Sequence, residues 1–434
     1  MPSPRLLWFR RDLRLADHPA LVEAAARGPV IGLFVIDPVL WDRGGVRTAY
    51  LARSLAALNA SLGGRLVIRR GRPSDVVPDT AREAGAAAVH VSADHGPYGA
   101  GRDHGVAVRL KGDGIAWSPA GSPYAVDPGT VRKPDGTSYR VFTPFYRAWS
   151  TVPVLPVHDA PAVDWRTLPG EPLPEVPLPD GLTLPAAGEA AALDRWQRFR
   201  AAGVAAYADH RDRPDLDGTT VLSHALRWGE LHPRTMLADL GMTGGEESLR
   251  RELCWREFYA DVLHHAPDSA WHDLREDLGR IEVDAGPDAD ARFEAWCAGR
   301  TGYPFVDAGM RQLLAEGWMH NRVRMVVASF LVKNLRMHWL HGARWFWDTL
   351  VDADLASNTL GWQWAAGCGA DAAPYFRVFN PQSQAEKFDP QGEYLRRWLP
   401  ELSGRGGASY PPPIVDLKAS REAALAAFRT LRET

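Results

Sequence analysis

The sequence predicts an N-terminal α/β domain with a doubly wound parallel sheet, followed by an all-α domain. Three observations predict this fold class. Short apolar runs alternate with helical segments over the first 130 residues, a proline-rich stretch follows, and the rest of the chain carries apolar residues at helical spacing. A chain of 434 residues is also too long for one ordinary hydrophobic core. We therefore divide it into an α/β domain (1–130), an interdomain linker (131–185) and a helical domain (186–434).

Four apolar runs in the first domain are too short and too continuous for amphipathic helices, and they predict buried parallel strands. These runs cover residues 6–9, 30–36, 66–68 and 88–91. Helical segments lie between and after them, at residues 19–26, 48–62, 74–85 and 101–111. The alternation predicts a Rossmann-like sheet. The first strand nevertheless runs into Arg-Arg-Asp where a dinucleotide-binding sheet would carry GxGxxG, so the usual dinucleotide fingerprint is absent.

Capping residues support these helix boundaries. Asp17 and Ser74 are predicted N-caps, because short polar side chains satisfy the first free backbone N–H groups of a helix. Gly28, Gly63 and Gly85 stand where three of the helices should end.

Proline content marks the linker. Residues 150–185 include VPVLPVHDAP and LPGEPLPEVPLPDGLTLP, and proline favours extended backbone without N–H donors. We therefore expect this segment to lie on the surface. Beyond it, helices are predicted at residues 248–264, 301–315, 319–337 and 421–429.

Composition excludes several function classes. Lysine and arginine total 50 against 53 aspartate and glutamate, so the net charge is −3 and contacts to nucleic acid require a local basic patch. Cys254, Cys297 and Cys368 are too widely spaced for a disulfide framework or a metal site, which indicates a reducing compartment. Arginines interrupt the N-terminal apolar run before a signal peptide can form, and no apolar run approaches the roughly 20 residues that span a bilayer. The sequence predicts a cytoplasmic protein without a membrane segment or a bound metal.

Four short blocks in the helical domain carry the candidate chemistry. The first contains Tyr207 and Arg211, then Thr219, Thr220 and Ser223 ahead of a helix. Hydroxyls and free backbone N–H groups at such a place suit a phosphate or a pyrophosphate, although a plain N-cap explains them as well.

The second block pairs its side chains at helical spacing. Glu252 and Arg256 are i, i+4 neighbours, and so are Trp255 and Tyr259. This spacing predicts a carboxylate–guanidinium pair beside two stacked rings. An ordinary amphipathic helix with a surface ion pair explains the pattern nearly as well.

The third and fourth blocks mix polar groups with indoles. The third carries Asn321, Arg322, Arg324 and Met325, whose arginines suit phosphates and whose amide suits a base edge; the fourth carries Asp352, Asp354, Asn358, Trp362 and Trp364. Carboxylates and an amide can hydrogen-bond the edge of a heterocycle, and indoles can stack or pass an electron. Such a composition is unusual for a hydrophobic core.

These blocks, with several longer motifs, resemble the DNA photolyase/cryptochrome family along nearly the whole chain. LLWFRRDLRLADHPAL resembles the family's opening strand and DGTSYRVFTPFYRAW its interdomain segment. ELCWREFY, TGYPFVDAGMRQL, GWMHNRVRMVVASFLVKNL, DADLASNTLGWQWAAG and APYFRVFNPQSQAEKFDP resemble its FAD-binding domain. Within the family the chain is most similar to the bacterial class I branch, which acts on cyclobutane pyrimidine dimers (CPDs). The resemblance implies a light-driven lyase in which reduced, anionic FAD (FADH⁻) passes an electron to a flipped-out dimer.

The resemblance also implies roles for individual residues. It assigns FAD binding to Tyr207, Thr219, Thr220, Val221, Leu222, Ser223, Arg256, Arg324, Asp352, Ala353, Asp354 and Asn358. It assigns repair chemistry to Glu252, Trp255, Asn321, Met325, Asn358 and Trp364. It assigns DNA contacts to Arg211, Glu252, Trp255, Tyr259, Asn321, Arg322 and Gln384.

Electron transfer to the flavin departs from the family pattern. Trp362 and Trp339 match the inner two members of a three-tryptophan relay, but no tryptophan stands between Trp271 and Trp296, where the outermost is expected. Photoreduction of the flavin is therefore expected to be slow or to use another exit from the relay, at Trp271 or Trp296.

The antenna, the lesion and the partners follow from the same resemblance. The loop 96–103 lacks the Asn-Glu pair of folate-binding members, which favours a deazaflavin antenna (8-HDF type) near residues 34–37 over methenyltetrahydrofolate and leaves open that there is no antenna. The (6-4) branch carries histidines where Asn321 and Met325 stand, which favours the CPD. The alternatives are a cryptochrome-like blue-light receptor and a (6-4) photolyase. We expect a monomer that acts on single- or double-stranded UV-damaged DNA.

Overall fold

The computed structural model describes residues 2–41, 45–371, 377–403 and 409–433. Its first half holds a six-stranded sheet in which every pair is parallel, in the order β3-β2-β1-β4-β5 with β6 also paired to β2. The strands are β1 (Arg5–Phe9), β2 (Val30–Ile36), β3 (Val67–Arg70), β4 (Ala88–Val91), β5 (Ala116–Pro119) and β6 (Trp165–Arg166). All seven residues of β2 are buried, since it has neighbours on both sides and apolar layers on both faces.

Helices cover both faces of this sheet, which confirms the doubly wound α/β class. Alternate residues of β1 and β2 face two different apolar clusters, one containing α1 and α3 and the other α4 and α5. The helices of the first half are α1 (Pro19–Ala25), α2 (Pro38–Trp41), α3 (Val46–Ser61), α4 (Pro73–Glu83), α5 (Pro97–Gly112) and α6 (Phe142–Trp149).

Both predicted N-caps are wrong. His18 caps α1 by accepting a hydrogen bond from Leu21 N, while Asp17 binds the buried Arg234 guanidinium at 2.8 Å, a stronger partner than one backbone N–H. Ser74 lies inside the first turn of α4, because that helix begins at Pro73, whose fixed φ suits the first helical position. The strands β5 and β6 were not predicted, because both are short and lack a continuous apolar run.

Several residues of the segment 131–185 are more deeply buried than its proline content indicates. Within it, α6 packs four buried aromatic residues against the second half of the chain, and β6 extends the sheet. Leu182 and Leu184 are buried against one face of the sheet. The expectation that the proline-rich residues 150–185 lie on the surface is therefore wrong at β6, Leu182 and Leu184, which pack against the sheet.

The second half is helical in the described residues apart from connecting segments, as the fold class predicts. Its helices are α7 (Glu189–Ala202), α8 (Tyr207–His210), α9 (Ser223–Trp228), α10 (Pro233–Asp239), α11 (Gly244–His265), α12 (Glu276–Gly279), α13 (Pro287–Cys297), α14 (Pro304–Glu316), α15 (Asn321–Ser329), α16 (Trp339–Thr349), α17 (Leu355–Ala366), α18 (Pro381–Phe388), α19 (Glu393–Trp398) and α20 (Leu417–Glu433). Short 3₁₀ turns occur at Val204–Ala206, Pro267–Ala270 and Pro400–Ser403.

Two local features set the helices around the site. The predicted helix 319–337 is interrupted. The α-helix α15 ends at Ser329, and a π-helical turn follows it over Phe330–Asn334. α16 and α17 approach each other so closely that a methyl group at Gly342 would overlap the indole of Trp362. Among the helices described, none is both long and apolar enough to cross a bilayer.

Candidate active site

A cavity of about 560 Å³ is lined by residues of α8, α9, α11, α15 and α17 and the segments between them. Nine of the twelve residues that the resemblance assigns to FAD line it: Tyr207, Thr220, Ser223, Arg256, Arg324, Asp352, Ala353, Asp354 and Asn358. All six residues assigned to repair line the same cavity: Glu252, Trp255, Asn321, Met325, Asn358 and Trp364. The structure therefore brings both groups of residues together in one space.

Three residues assigned to FAD do not line the cavity. Leu222 is buried in the hydrophobic core beneath it, and the carbonyl of Thr219 accepts a hydrogen bond from Arg195. Val221 has φ of 49°, a left-handed conformation that is costly for a β-branched residue. This strained turn stands directly before α9, between Thr220 and Ser223, which do line the cavity.

One aromatic wall of the cavity is formed by α11 and is backed by α6. Trp255 lies face to face with Phe142, with ring centroids 3.8 Å apart and an interplanar angle of 6°. The predicted stacking of Trp255 on Tyr259 is wrong: these rings are tilted by 51° at 5.5 Å, because Phe142 takes the face of the indole. Phe142 is not among the predicted site residues, although its aromatic-rich segment FTPFYRAW offered a signal.

Glu252 has a different partner from the one its spacing predicts. Its carboxylate binds Arg211 at 2.6 Å, and the predicted pair with Arg256 is wrong. Arg256 instead donates to the carbonyls of Pro123 and Leu226, which lie outside α11. Side chains of other segments thus compete successfully with the helical i, i+4 pair, which is weak by itself.

Two aspartates at the start of α17 hold two arginines. Asp352 accepts two hydrogen bonds from Arg324, at 2.8 and 3.2 Å. Asp354 caps α17 by accepting from Ser357 N and binds Arg11, from the end of β1, at 2.6 Å. Burial by itself would raise the pKa of Asp354, but the surrounding guanidinium groups hold it well below its ordinary value. Asp354 is therefore ionised at neutral pH within its ion pair with Arg11.

Asn358 is oriented by the backbone of α16. Its Nδ2 donates to the carbonyl of Ala343 at 2.9 Å, and its Oδ1 accepts no hydrogen bond from the described residues. The amide therefore has a free acceptor atom on a cavity-lining side chain.

Comparison with known proteins identifies the family. The family described as "DNA photolyase" matches residues 5–164, and "FAD binding domain of DNA photolyase" matches residues 248–408. The chain is 41% identical over 437 residues to a deoxyribodipyrimidine photo-lyase of Thermus thermophilus, with 99% of each protein covered. The chain belongs to the DNA photolyase family. Residues 248–408 are similar to the FAD-binding domain of this family.

Solved structures agree with this assignment. A bacterial class III photolyase from Agrobacterium tumefaciens superposes with a TM-score of 0.91 at 36% identity, covering 100% of this chain and 98% of that one. A cryptochrome from Synechocystis sp. PCC6803 superposes with a TM-score of 0.88 at 28% identity, covering 98% of this chain and 99% of that one. The photolyase fold is therefore shared over the full length.

The arginines that photolyase resemblance assigns to DNA are engaged within the protein. Arg322 binds Asp212 at 2.8 Å and lies over the ring of Phe388. Arg211 binds Glu252, as described above. Gln384 lies on α18 and does not line the cavity, while Tyr259 does. Residues 373–376 of the motif containing Gln384 lie outside the described residues.

The tryptophans assigned to the photolyase electron relay lie in one apolar cluster. Trp362 lines the cavity and contacts Trp296 edge to face, with ring centroids 6.1 Å apart. Trp339 is buried and donates its indole N–H to Asp273 at 2.7 Å. Trp271 is 59% exposed. Trp296, which sequence analysis named only as an alternative exit, therefore contacts the inner relay residue directly.

The region predicted for a photolyase antenna lies at the carboxyl ends of β1, β2 and β4. Polar side chains there bind one another: Arg10 holds Asp103 at 2.6 Å, and the hydroxyl of Tyr98 donates to Asp37. Val39 and Leu40 beside them are half exposed. The group offers both hydrogen-bonding atoms and apolar surface at the usual ligand-binding edge of a parallel sheet.

Proposed function

We propose that this photolyase repairs CPDs in DNA under near-UV or blue light with reduced FAD. The observation that carries the proposal is the single cavity lined both by residues suited to a dinucleotide and by residues suited to a pyrimidine pair. A cavity of this size is within the usual range for cofactor sites.

The residues of the cavity fit FAD. Hydroxyls of Tyr207, Thr220 and Ser223 suit its ribose and phosphates, and the Arg324–Asp352 pair offers a planar polar surface. The free Oδ1 of Asn358 suits a flavin N5–H, which the reduced form carries. Reduced FAD supplies, when bound, the electron that light transfers to the lesion.

The chain's own contribution is to position the lesion and exclude water. A dimer inside the duplex is out of reach, so it must be flipped into the cavity, and its damaged stacking lowers the free energy of flipping. Trp255, held flat against Phe142, provides a rigid apolar wall. Glu252 provides a carboxylate for the base edges, while Met325 and Trp364 supply apolar lining.

Two finer points belong to the same proposal. Asn321 and Met325 line the cavity where the (6-4) branch carries histidines, which supports the CPD as the substrate. The class I assignment stays a prediction, since one superposing structure is a class III photolyase. A blue-light receptor is the alternative function. The observation that supports it is the structural similarity to a cryptochrome.

Light-dependent turnover tests the proposal. Reduced, FAD-loaded protein is incubated with oligothymidylate that contains CPDs, under blue light and in darkness. We expect dimers to disappear only in the light. Binding of the oligonucleotide without light-dependent loss of dimers would favour the receptor, and the same assay with a (6-4) photoproduct distinguishes the two lesions.

The antenna is tested separately. We propose that a deazaflavin binds near Asp37 and Tyr98, supported by the polar and apolar groups at that edge of the sheet. The excitation spectrum of repair should gain the absorption band of an added 8-HDF-type deazaflavin. A band from methenyltetrahydrofolate instead would contradict this choice.

Asp212 is expected to weaken DNA binding by occupying Arg322. Asp212→Asn should lower the Kd for CPD-containing DNA about 2- to 10-fold, because the released guanidinium can bind a phosphate. The salt dependence of log Kd should steepen by about 0.9, the value for one further phosphate contact on a duplex. Asp209→Asn, an exposed change of the same charge on α8, is the control. Equal effects of both changes would indicate overall charge rather than this ion pair.

Trp296 is expected to pass an electron to Trp362 when the flavin is photoreduced. We propose this route because the two rings are in contact, and Trp296→Phe should slow photoreduction of the FAD-loaded protein severalfold in the presence of a thiol reductant. Repair by chemically reduced protein should be unchanged. Normal photoreduction in Trp296→Phe, with a loss in Trp339→Phe, would instead make Trp339 the residue that supplies the electron to Trp362.

A further inference from the structure

One indole of the buried tryptophan cluster donates its N–H to a carboxylate. Trp339 is buried, and its Nε1 donates to Oδ1 of Asp273 at 2.7 Å. Trp296 is buried as well, but its Nε1 donates to the carbonyl of Val327 at 3.3 Å. A carboxylate is a much stronger proton acceptor than an amide carbonyl, so the two indoles differ in whether their N–H proton can be removed.

The position of Asp273 is fixed by the residue that follows Trp362 on α17. The buried amide of Gln363 forms hydrogen bonds of 2.7 to 3.2 Å with backbone groups of the segment 269–274, which carries Asp273. The side chain of Asp273 is 18% exposed. The carboxylate is therefore held at the indole of Trp339 and can still exchange a proton with water.

Two further titratable groups lie near this carboxylate, and neither is a cation at neutral pH. Burial, together with the charge of Asp273, raises the pKa of the Cys368 thiol, which keeps its proton. Burial lowers the pKa of His338, whose Nε2 lies 4.0 Å from Oδ2 of Asp273. Among the described residues Asp273 forms no ion pair with a lysine or an arginine, so its charge is available to a proton.

Trp339 lies on the face of α16 that meets Trp362. A methyl group at Gly342 would overlap the indole of Trp362, and Phe346 contacts that indole edge to face with ring centroids 5.0 Å apart. Trp339, Gly342 and Phe346 follow one another at i, i+3 and i+7, so they share one face of the helix. Trp339 and Trp362 also belong to the same apolar cluster. Trp339 is thus placed to pass an electron to Trp362.

The N–H group of an indole becomes strongly acidic when the ring loses an electron. A radical cation that keeps its proton readily takes the electron back, whereas the neutral radical left after proton loss is a weaker oxidant. An exposed tryptophan can lose this proton to water, but no tryptophan stands between Trp271 and Trp296 to do so. A buried tryptophan needs a base within the protein.

We propose that Asp273 accepts the indole proton of Trp339 when Trp339 is oxidised, which makes Trp339 the residue where the relay ends. The Nε1–H bond breaks, an O–H bond forms on Asp273, and the electron passes through Trp362 to the light-excited flavin. Trp339 is left as a neutral radical. An added thiol reductant returns the electron, and the proton returns from Asp273 or from water. Trp296 has no such base, so it only passes electrons on.

Time-resolved absorption after a light flash tests the proposal, because the indole radical cation and the neutral radical absorb differently. In the FAD-loaded wild type we expect the neutral radical to form, and to form more slowly in D₂O. Asp273→Asn keeps a hydrogen-bond acceptor but removes the base, so formation of the neutral radical should slow about 100-fold or more. Asp273→Glu should recover part of the rate. Asp277→Asn, the same change at an exposed carboxylate of α12, should match the wild type.

Several outcomes contradict the proposal. One is an unchanged rate in Asp273→Asn, and another is a neutral radical that persists in Trp339→Phe but disappears in Trp271→Phe. Equal slowing in the Asn and Glu variants of Asp273, with a lower Tm in both, would assign the carboxylate a structural role only. The absence of a D₂O effect in the wild type contradicts the proposal without any variant.

The inference rests on the proposed function only in requiring bound FAD that light can reduce. Repair of CPDs by chemically reduced wild type is measured separately and does not use this proton transfer. A protein that shows the expected radical kinetics but repairs no dimers would therefore overturn the proposed function alone.

Discussion

Gly342→Ala is expected to destabilise the helical domain by about 3 kcal/mol, a value at the upper end for overpacking. The added methyl group would overlap the indole of Trp362, which is buried and packed on its other sides by Trp296 and Phe346. Because these rings are themselves closely packed, the clash cannot be relieved by rotation of one side chain and must separate α16 from α17. Urea denaturation followed by far-UV circular dichroism measures the loss.

The same change should weaken FAD binding, since Trp362 lines the cavity and Asn358 is oriented by the backbone of α16. Gly101→Ala in α5 is the matched control. No atom lies within 4 Å of a methyl group at Gly101, so alanine should stabilise that helix by about 0.5–1 kcal/mol. Equal stability of Gly342→Ala and wild type would contradict the packing described for the two helices.

Sequence spacing located the helices of the site well and their partners poorly. The predicted helix 248–264 is α11, which begins earlier because Thr243 and Glu246 form a capping box. Glu252 was assigned to Arg256 within the helix, but its partner Arg211 comes from the end of α8. Spacing reveals only neighbours on one element, whereas the choice among competing partners depends on how elements pack.

The contacts that sequence analysis missed are long-range. Arg11 and Asp354 are 343 positions apart, and nothing in either local pattern indicates their pair. Phe142 lies in a segment interpreted as linker, so its stacking on Trp255 could not be predicted from helical periodicity. Most residues that the family motifs single out line the cavity, because motif positions carry over with the fold, but Thr219, Val221, Leu222 and Gln384 do not. They did not predict that Arg211 and Arg322 are already ion-paired in the protein alone.

Glu252→Ala is expected to lower the quantum yield of CPD repair about 2- to 10-fold, corresponding to the loss of one net hydrogen bond to the lesion. DNA affinity should not fall, because the change releases Arg211 from its 2.6 Å ion pair and leaves that guanidinium free to bind a phosphate. Repair yield is measured by the loss of dimers per absorbed photon, and the Kd by fluorescence anisotropy with the same oligonucleotide.

Arg211→Ala separates the two members of the ion pair. It removes a cation while leaving the carboxylate, so we expect weaker DNA binding and a shallower salt dependence, with a smaller change in yield for the bound dimer. Glu252→Ala should therefore lower mainly the repair yield, whereas Arg211→Ala should lower mainly the affinity for DNA. If both reduced affinity and yield in the same proportion, the pair would serve only to hold α8 against α11, and the role of Glu252 at the lesion would be wrong.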